Sequence, residues 1–254
     1  DETYLWYSTG AAAFFTDLEK RFLGEGTLQA RYIRGAFDDK PFTLGKYEST
    51  RIRVAIAELA ANGGAPMGFY TRFTDTAARG EIVRYYRFLG QHDALFRGNR
   101  SHAETVLLFP RQAVHRGRVE PVEAFKRLGR KLLDDHVLFD VLPDDLAAST
   151  PERLKPYMRV LRIGGESSTP ETKPSRFEAP YTVRVSASRP AGGNELDLHL
   201  VNYNRTEPPR GGDGKPSAGG GLKDEKPIAV AGVKADVLLP AGLQVGRVEI
   251  LVPE

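Results

Sequence analysis

The sequence predicts an α/β fold followed by an all-β region: a partial (β/α) barrel, a short flavodoxin-like α/β segment and a C-terminal antiparallel β-sandwich. Three observations lead to this prediction. Residues Lys46–Arg72 have the pattern of a strand end, an amphipathic helix, an Asn-Gly-Gly turn and a second strand, which is a βαβ unit. The hydrophobic run Glu104–Pro110 and the amphipathic pattern of Val122–His136 indicate a second parallel unit. Beyond residue 180 the apolar period changes to two, which is typical of antiparallel strands.

Residues 1–100 are predicted to form successive βα units of a parallel sheet or of part of a barrel. Ser49 or Thr50 can cap the helix of the βαβ unit, and the glycines of Asn62-Gly63-Gly64 can end it in a left-handed turn. Three βα units in succession favour a parallel sheet. The predicted elements are strands at Glu2–Ser8, Lys40–Tyr47 and Ala65–Phe73, and helices at Ala11–Leu23 with a weak continuation to Ile33, at Ile52–Leu59 and at Gly80–Phe96.

Residues 101–165 are predicted to form a short doubly wound α/β segment. Strand patterns at Val137–Asp145 and Leu154–Ile163 follow the first strand and helix of this region. No Gly-x-Gly-x-x-Gly run follows a strand, so a nucleotide-binding domain is not predicted. Residues 166–180 are rich in Gly, Ser, Thr and Pro and are predicted to be a linker.

Residues 181–254 are predicted to form the β-sandwich. Between its strands, residues 210–226 are of low complexity and are expected to form a mobile loop. The strand patterns lie at Tyr181–Ser188, Glu195–Tyr203, Ile228–Pro240 and Val245–Pro253.

Composition narrows the classes of function. The chain has 254 residues, 41% of them hydrophobic and 27% charged, which indicates a globular protein. With a net charge of only +3 and no apolar run of roughly 18–20 residues, neither a nucleic-acid partner nor a membrane span is predicted. The absence of cysteine excludes disulfides, thiolate metal sites and a cysteine nucleophile. The five histidines form no metal-binding pattern, and no metal or cofactor is predicted. The chain begins at Asp1 without Met, so we expect processing or truncation upstream, and the compartment stays open.

Four runs carry a resemblance to a known family: Ala57–Met67, Glu104–Pro110, Phe139–Leu146 and Leu196–Asn204. Together with the order of the three regions, they resemble the C-terminal portion of glycoside hydrolase family 42-like (β-galactosidase-like) proteins. In that family a (β/α)8 barrel is followed by an amidotransferase-like trimerisation domain and a C-terminal sandwich. The resemblance therefore implies that residues 1–100 supply the last βα units of a (β/α)8-type barrel and residues 101–165 a shortened amidotransferase-like segment, which lacks amidotransferase activity because the chain has no cysteine. The resemblance implies a hydrolase of O-glycosidic bonds, a carbohydrate substrate and a homo-oligomer. It also implies that the acid/base glutamate lies on an upstream barrel strand, so that this chain alone would be inactive.

Glu48 is the candidate catalytic residue. It follows the predicted strand Lys40–Tyr47, and the chemistry of parallel barrels lies at the C-terminal ends of strands. In a retaining glycosidase two carboxyl groups lie about 5–5.5 Å apart, and Glu48 would be the nucleophile. The alternative is that Glu48 belongs to the first turn of the next helix, where a carboxylate favours the positive end of the helix dipole.

Five further side chains are predicted to bind the sugar at the same end of the sheet. Aromatic faces stack on the C–H surfaces of sugars, while Arg and Lys bind hydroxyls or an acidic group. Trp6 and Tyr70 could equally be core aromatics, and Arg72 could pair with Asp75 at the surface. The predicted binding residues are Trp6, Lys46, Tyr47, Tyr70 and Arg72.

Other polar clusters have ordinary structural explanations. The basic run Arg111–Arg118 could bind phosphate or an acidic glycan, but a solvated loop is the preferred interpretation. The pair Asp134-Asp135 is interpreted as a solvated helix end, and Asp144-Asp145 as a turn. His199 alternates with Asp197 in a strand, which indicates an outer sheet face. Because no second convincing carboxylate accompanies Glu48, the alternative function is a non-catalytic carbohydrate-binding or oligomerisation module.

Overall fold

The structure is a computed structural model that describes residues 5–8, 17–21, 23–45, 52–67, 76–166, 173–190, 194–207, 210, 212 and 225–253; for residues 5–8, 45, 67 and 166 the backbone alone is described. These residues form a mixed α/β fold with parallel and antiparallel sheets. This confirms the predicted combination of an α/β part with a β part. The barrel and the sandwich remain predictions.

The first sheet is parallel, and its three strands lie side by side in chain order. Its strands are β1 (Leu5–Ser8), β2 (Phe42–Gly45) and β3 (Ala65–Met67), and its helices are α1 (Glu25–Ala36), α2 (Ile52–Ala61), α3 (Thr76–Gln91) and α4 (Asp93–Phe96). The predicted βαβ unit is confirmed by β2, α2 and β3. Gly63 ends α2 with a φ of 77°, a left-handed conformation that glycine adopts without a steric penalty.

The second sheet has the strand order β6-β5-β7-β8, so the predicted run Glu104–Pro110 supplies a central strand. β5, β6 and β7 are parallel, and β8 returns antiparallel to β7. Val106 and Leu107 are completely buried, because helices cover both faces of a central parallel strand. The elements are β5 (Thr105–Phe109), α5 (Arg111–His115), α6 (Glu120–Asp134), β6 (Phe139–Pro143), α7 (Asp144–Ser149), a 3-10 helix (Pro151–Leu154), β7 (Arg159–Arg162) and β8 (Gly165–Glu166).

Two small antiparallel sheets complete the fold. One has the order β11-β10-β4, with β4 (Arg100–Ser101), β10 (Val183–Arg189) and β11 (Asp197–Asn202); the other pairs β9 (Arg176–Glu178) with β12 (Lys234–Asp236). The strand prediction for Val245–Pro253 is wrong, since these residues have no ladder partner in the described part of the chain. The predicted linker contains β9, whose Phe177 packs against Val183 and Val185 of β10.

Helix α1 packs against both parallel sheets. Its Ala30 and Ile33 contact Phe42 and Leu44 of the first sheet, and its Leu28 joins a cluster with Leu107 of the second sheet. A Cβ built on Gly35 would lie only 1.9 Å from the backbone oxygen of Val141 in β6. The hydrophobic core is therefore continuous across residue 100, and the division at residues 100 and 165 into domains remains a prediction.

Candidate functional site

The carboxyl ends of the first three strands lie next to each other. Ser8 at the end of β1 is opposite Gly45 at the end of β2, and Gly45 is opposite Met67 at the end of β3. The three chain segments that follow these strands therefore leave from one edge of the sheet. In α/β proteins this edge is where ligands bind.

The predicted site residues come directly after these strand ends in the sequence. The catalytic candidate Glu48 follows the end of β2 by three residues, and Tyr70 follows the end of β3 by three. Their roles remain predictions. Glu48, Lys46, Tyr47, Tyr70 and Arg72 lie outside the described residues, as does the side chain of Trp6, whose backbone is part of β1.

The carboxyl edge of the second sheet carries a closed ion pair. Nε of Arg111, just after β5, lies 2.9 Å from both carboxylate oxygens of Asp145, just after β6. Asp144 Oδ1 accepts the backbone N–H of Gln112 at 3.0 Å. Burial alone would raise the pKa of Asp145, but the hydrogen bonds and charge of Arg111 hold that pKa below its ordinary value. Because these groups satisfy one another, this edge has no free charge at Arg111 or Asp145 for a ligand.

Two expectations about charged runs need correction. Of the basic run Arg111–Arg118, only residues 115–118 are exposed. Arg111, at the start of the run, is bound to Asp145 and is not part of a solvated loop. Asp134 was expected at a solvated helix end, but its Oδ1 accepts a hydrogen bond at 2.7 Å from Arg184, which is buried. Asp145 and Asp134 each bind an arginine of another secondary-structure element rather than facing solvent alone.

A buried cation that the sequence analysis missed lies between the sheets. Nε of Arg31, in α1, donates to Asn62 Oδ1 at 3.0 Å, and its guanidinium lies 4.3 Å from the ring centre of Phe139. Its Nη1 has no hydrogen-bond partner in the part of the chain that the structure describes. Burial lowers the pKa of Arg31 to about 10, although Asp140 acts in the opposite direction, so the side chain stays charged at pH 7.

Arg31 and Asp140 line a small cavity. Asp140 accepts hydrogen bonds from Ser101 Oγ at 2.7 Å and from the hydroxyl of Tyr157 at 2.9 Å. Burial, and then the negative charge of Asp140, raise the pKa of that tyrosine. The cavity has a volume of about 10 Å³, which is room for a single water molecule. It also lies at the amino end of β6, opposite the edge where α/β folds bind ligands, so we interpret it as a structural junction.

A serine–histidine pair lies on the antiparallel sheet. Ser188 Oγ is 2.9 Å from Nε2 of His199, and Asn99 Nδ2 donates to the same hydroxyl at 3.2 Å. Burial lowers the pKa of His199 to about 4, so the ring is neutral near pH 7 and a weak base. Ser188 is only 3% exposed, which leaves a substrate no access to its hydroxyl. Ser188 and His199 therefore hold the segment around Asn99 against the antiparallel sheet.

Asp197, two residues before His199, does not complete a catalytic triad. Its Oδ2 is buried and has no hydrogen-bond partner among the described residues. Burial, and then the neighbouring charge of Glu195, raise the pKa of Asp197 to about 6. The face that His199 shares with Asp197 was expected to be an outer one, but the ring of Phe96 lies 5.8 Å from the histidine ring and covers part of it.

Within the described ranges, no group of three or more His, Asp or Glu side chains could hold a metal ion. None of the helices in the described part of the chain is both long enough and apolar enough to cross a bilayer.

Comparisons with known proteins give one similar structure. No family model matches the sequence, and no curated protein matches it. Among solved structures, the α-L-fucosidase isoenzyme 2 from Paenibacillus thiaminolyticus is similar with a TM-score of 0.41 and 15% sequence identity, over 81% of this chain and 39% of that chain. That protein is a glycoside hydrolase. The chain spans less than half of its length, and the similarity is too low to assign the chain to any family.

Proposed function

We propose that the chain is the C-terminal part of a glycoside hydrolase acting on O-glycosidic bonds, and that it is inactive without barrel strands upstream. One observation supports the proposal: β1, β2 and β3 are parallel, lie in chain order and end at one edge. This is the strand order of a singly wound sheet such as a barrel, in which each strand end can deliver a catalytic or binding residue.

In this proposal Glu48 is the nucleophile and the other predicted residues hold the sugar. Glu48 would attack the anomeric carbon from the end of β2, while an acid/base carboxyl from an upstream strand protonates the leaving oxygen. Trp6 and Tyr70 would stack on the sugar ring, and Lys46, Tyr47 and Arg72 would bind its hydroxyls.

The first measurement is the intact mass of the protein from its native source. A mass well above 28.0 kDa is expected, since the proposed acid/base residue lies upstream of residue 1. Aryl glycosides, including β-galactosides and α-L-fucosides, are then assayed with that longer protein. Glu48→Gln should lower kcat by about 10³-fold or more with at least one of them.

A matched control keeps this result interpretable. Glu123→Gln removes a carboxylate whose side chain is 63% exposed on α6, and it should leave kcat unchanged. Equal activity of the Glu48→Gln and Glu123→Gln variants would refute Glu48 as the nucleophile. A native mass near 28.0 kDa would refute the requirement for an upstream half.

A second candidate function is a non-catalytic carbohydrate-binding or oligomerisation module. It is favoured by the described carboxylates at the carboxyl edge of the second sheet: Asp144 and Asp145 bind Gln112 and Arg111 rather than facing a cleft. Binding to a glycan array without hydrolysis of any aryl glycoside would support this candidate. Hydrolysis that depends on Glu48 would refute it.

A further inference from the structure

Residues 245–252, called here the C-terminal segment, have the composition of a β-strand but no strand partner in the part of the chain that the structure describes. Val248 and Ile250 are 79% and 89% exposed, and Val252 is also exposed. These three alternate with Arg247, Glu249 and Leu251, so in an extended backbone they would share one face. Such β-branched residues favour a half-buried sheet surface over solvent.

The antiparallel sheet has an edge with matching properties. Its order is β11-β10-β4, and no described strand pairs with the outer edge of β11. Leu198 and Leu200 share one face of β11 and are 38% and 51% exposed, whereas Val201 on the other face is buried. An uncovered edge with exposed leucines is a template for the addition of another strand.

The charges of the two surfaces are also complementary. Arg247 is exposed and its only described ion pair is with Glu249, two residues along the same segment. Asp197 of β11 has an oxygen without a described hydrogen-bond partner, and Glu195 lies beside it. A strand added parallel to β11, with Val248 and Ile250 beside Leu198 and Leu200, places Arg247 beside Asp197 and Glu249 beside His199. Arg247 then gains an acidic partner.

The ends of the C-terminal segment are held on its own molecule. Upstream, β12 pairs with β9. Downstream, the carbonyl oxygen of Pro253 accepts a hydrogen bond at 2.7 Å from Nη1 of Arg84, in α3. With both ends held, the segment has no strand partner among the described residues, and the outer edge of β11 has none there either. Two copies of the chain can satisfy both surfaces at once through a two-fold axis.

We propose that the C-terminal segment of one copy adds as a parallel strand to the β11 edge of a second copy, in a reciprocal dimer. The proposal makes the oligomerisation part of the second candidate function specific, and it is independent of the hydrolase role. The partner that covers the β11 edge is thus a second copy of this chain. Its C-terminal segment presents an apolar face to the leucines of β11 and a basic residue on the opposite face.

The first test measures the mass of the full chain in solution by sedimentation equilibrium over about a hundredfold range of concentration. The wild type should shift from 28.0 kDa toward twice that mass as concentration rises. Ile250→Glu in the segment and Leu200→Glu in β11 should each keep the protein monomeric at concentrations where the wild type is dimeric. Val119→Glu, at a residue that is 62% exposed just before α6, is the matched control and should dimerise as the wild type does.

A cross-link distinguishes exchange between copies from pairing within one chain. Because the chain has no cysteine, Leu200→Cys and Ile250→Cys can be introduced without competing thiols. A mixture of the two single variants should form a disulfide-linked dimer on oxidation. A monomeric wild type, a dimer insensitive to both Glu variants, or a disulfide formed only within a doubly substituted chain would each overturn the proposal. None of these outcomes bears on Glu48.

Discussion

Replacing Gly35 with alanine should separate α1 from the second sheet. The added Cβ would lie 1.9 Å from the carbonyl oxygen of Val141 and 3.0 Å from its carbonyl carbon, whereas ordinary contact begins at 3.4 Å. The obstacle is the backbone of strand β6, which cannot rotate away as a side chain can. The helix must therefore move by more than an ångström, and its contacts with β6 lose much of their dispersion energy.

The expected loss of stability follows from two opposing contributions. Alanine in a helix is favoured over glycine by about 0.5–1 kcal/mol. Overpacking a core costs about 1–3 kcal/mol, and a clash with backbone places Gly35→Ala at or above the upper end of that range. The net loss should be about 2–3 kcal/mol, or a fall in Tm of about 5–10 °C for a chain of this size.

Gly90→Ala provides the matched control. Gly90 is the penultimate residue of α3 as Gly35 is of α1, and nothing lies within 4 Å of its added Cβ. Urea denaturation followed by circular dichroism should show this variant equal to the parent or more stable by up to about 1 kcal/mol. If Gly35→Ala proved as stable as Gly90→Ala, the close packing of α1 on β6 would be refuted.

Three other predictions concern charge and truncation. The raised pKa of Asp197 means that ionising this group costs stability as pH rises from about 4 to about 6. The free energy of unfolding of Asp197→Asn should therefore exceed that of the parent by about 1 kcal/mol at pH 7, a value discounted for partial exposure. Below pH 4 the two proteins should be equally stable. An equal gain in urea titrations at both pH values would exclude titration as the cause. Oε1 of Glu58 accepts hydrogen bonds from both the N–H and the hydroxyl of Thr27 at 2.7 Å, in the first turn of α1. Glu58→Ala should therefore lower the free energy of unfolding by about 1–2 kcal/mol in the same urea assay. An unchanged denaturation midpoint would contradict this. Residues 1–100 expressed alone should be poorly soluble, because Leu28 would lose its contacts with the second sheet and become exposed. A soluble, monodisperse product in size-exclusion chromatography would contradict this prediction.

Elements with a strong local pattern could be predicted from the sequence. The run around Val106 is continuously apolar and forms a central strand, and the amphipathic pattern of α6 places Phe125 and Leu132 in the core. The segment containing Val248 has an equally clear strand pattern but forms no strand. A strand needs a neighbour, and no local pattern specifies whether one is present.

The polar junction could not be predicted, because it depends on contacts between distant parts of the chain. Arg31 occupies a helix position that would ordinarily be taken as a solvated face. It is buried because α1 contacts sheets formed by residues far apart in sequence, and its partners include the carbonyl oxygen of Val185 at 3.3 Å. For the candidate site, the position of Glu48 after a strand could be predicted from the pattern, but its catalytic role stays a prediction.

The position of α1 between the two sheets also affects how the protein is made. The helix leaves the ribosome long before β6, since residues 37–138 must be synthesised in between. At typical rates of translation of about 5–20 residues per second, Leu28 and the surface around Gly35 stay uncovered for roughly 5–20 s. Over that time the nascent chain presents an apolar helix face without its partner. Chaperone binding to the emerging N-terminal third is therefore expected to influence the yield of folded protein more than any local property of that segment.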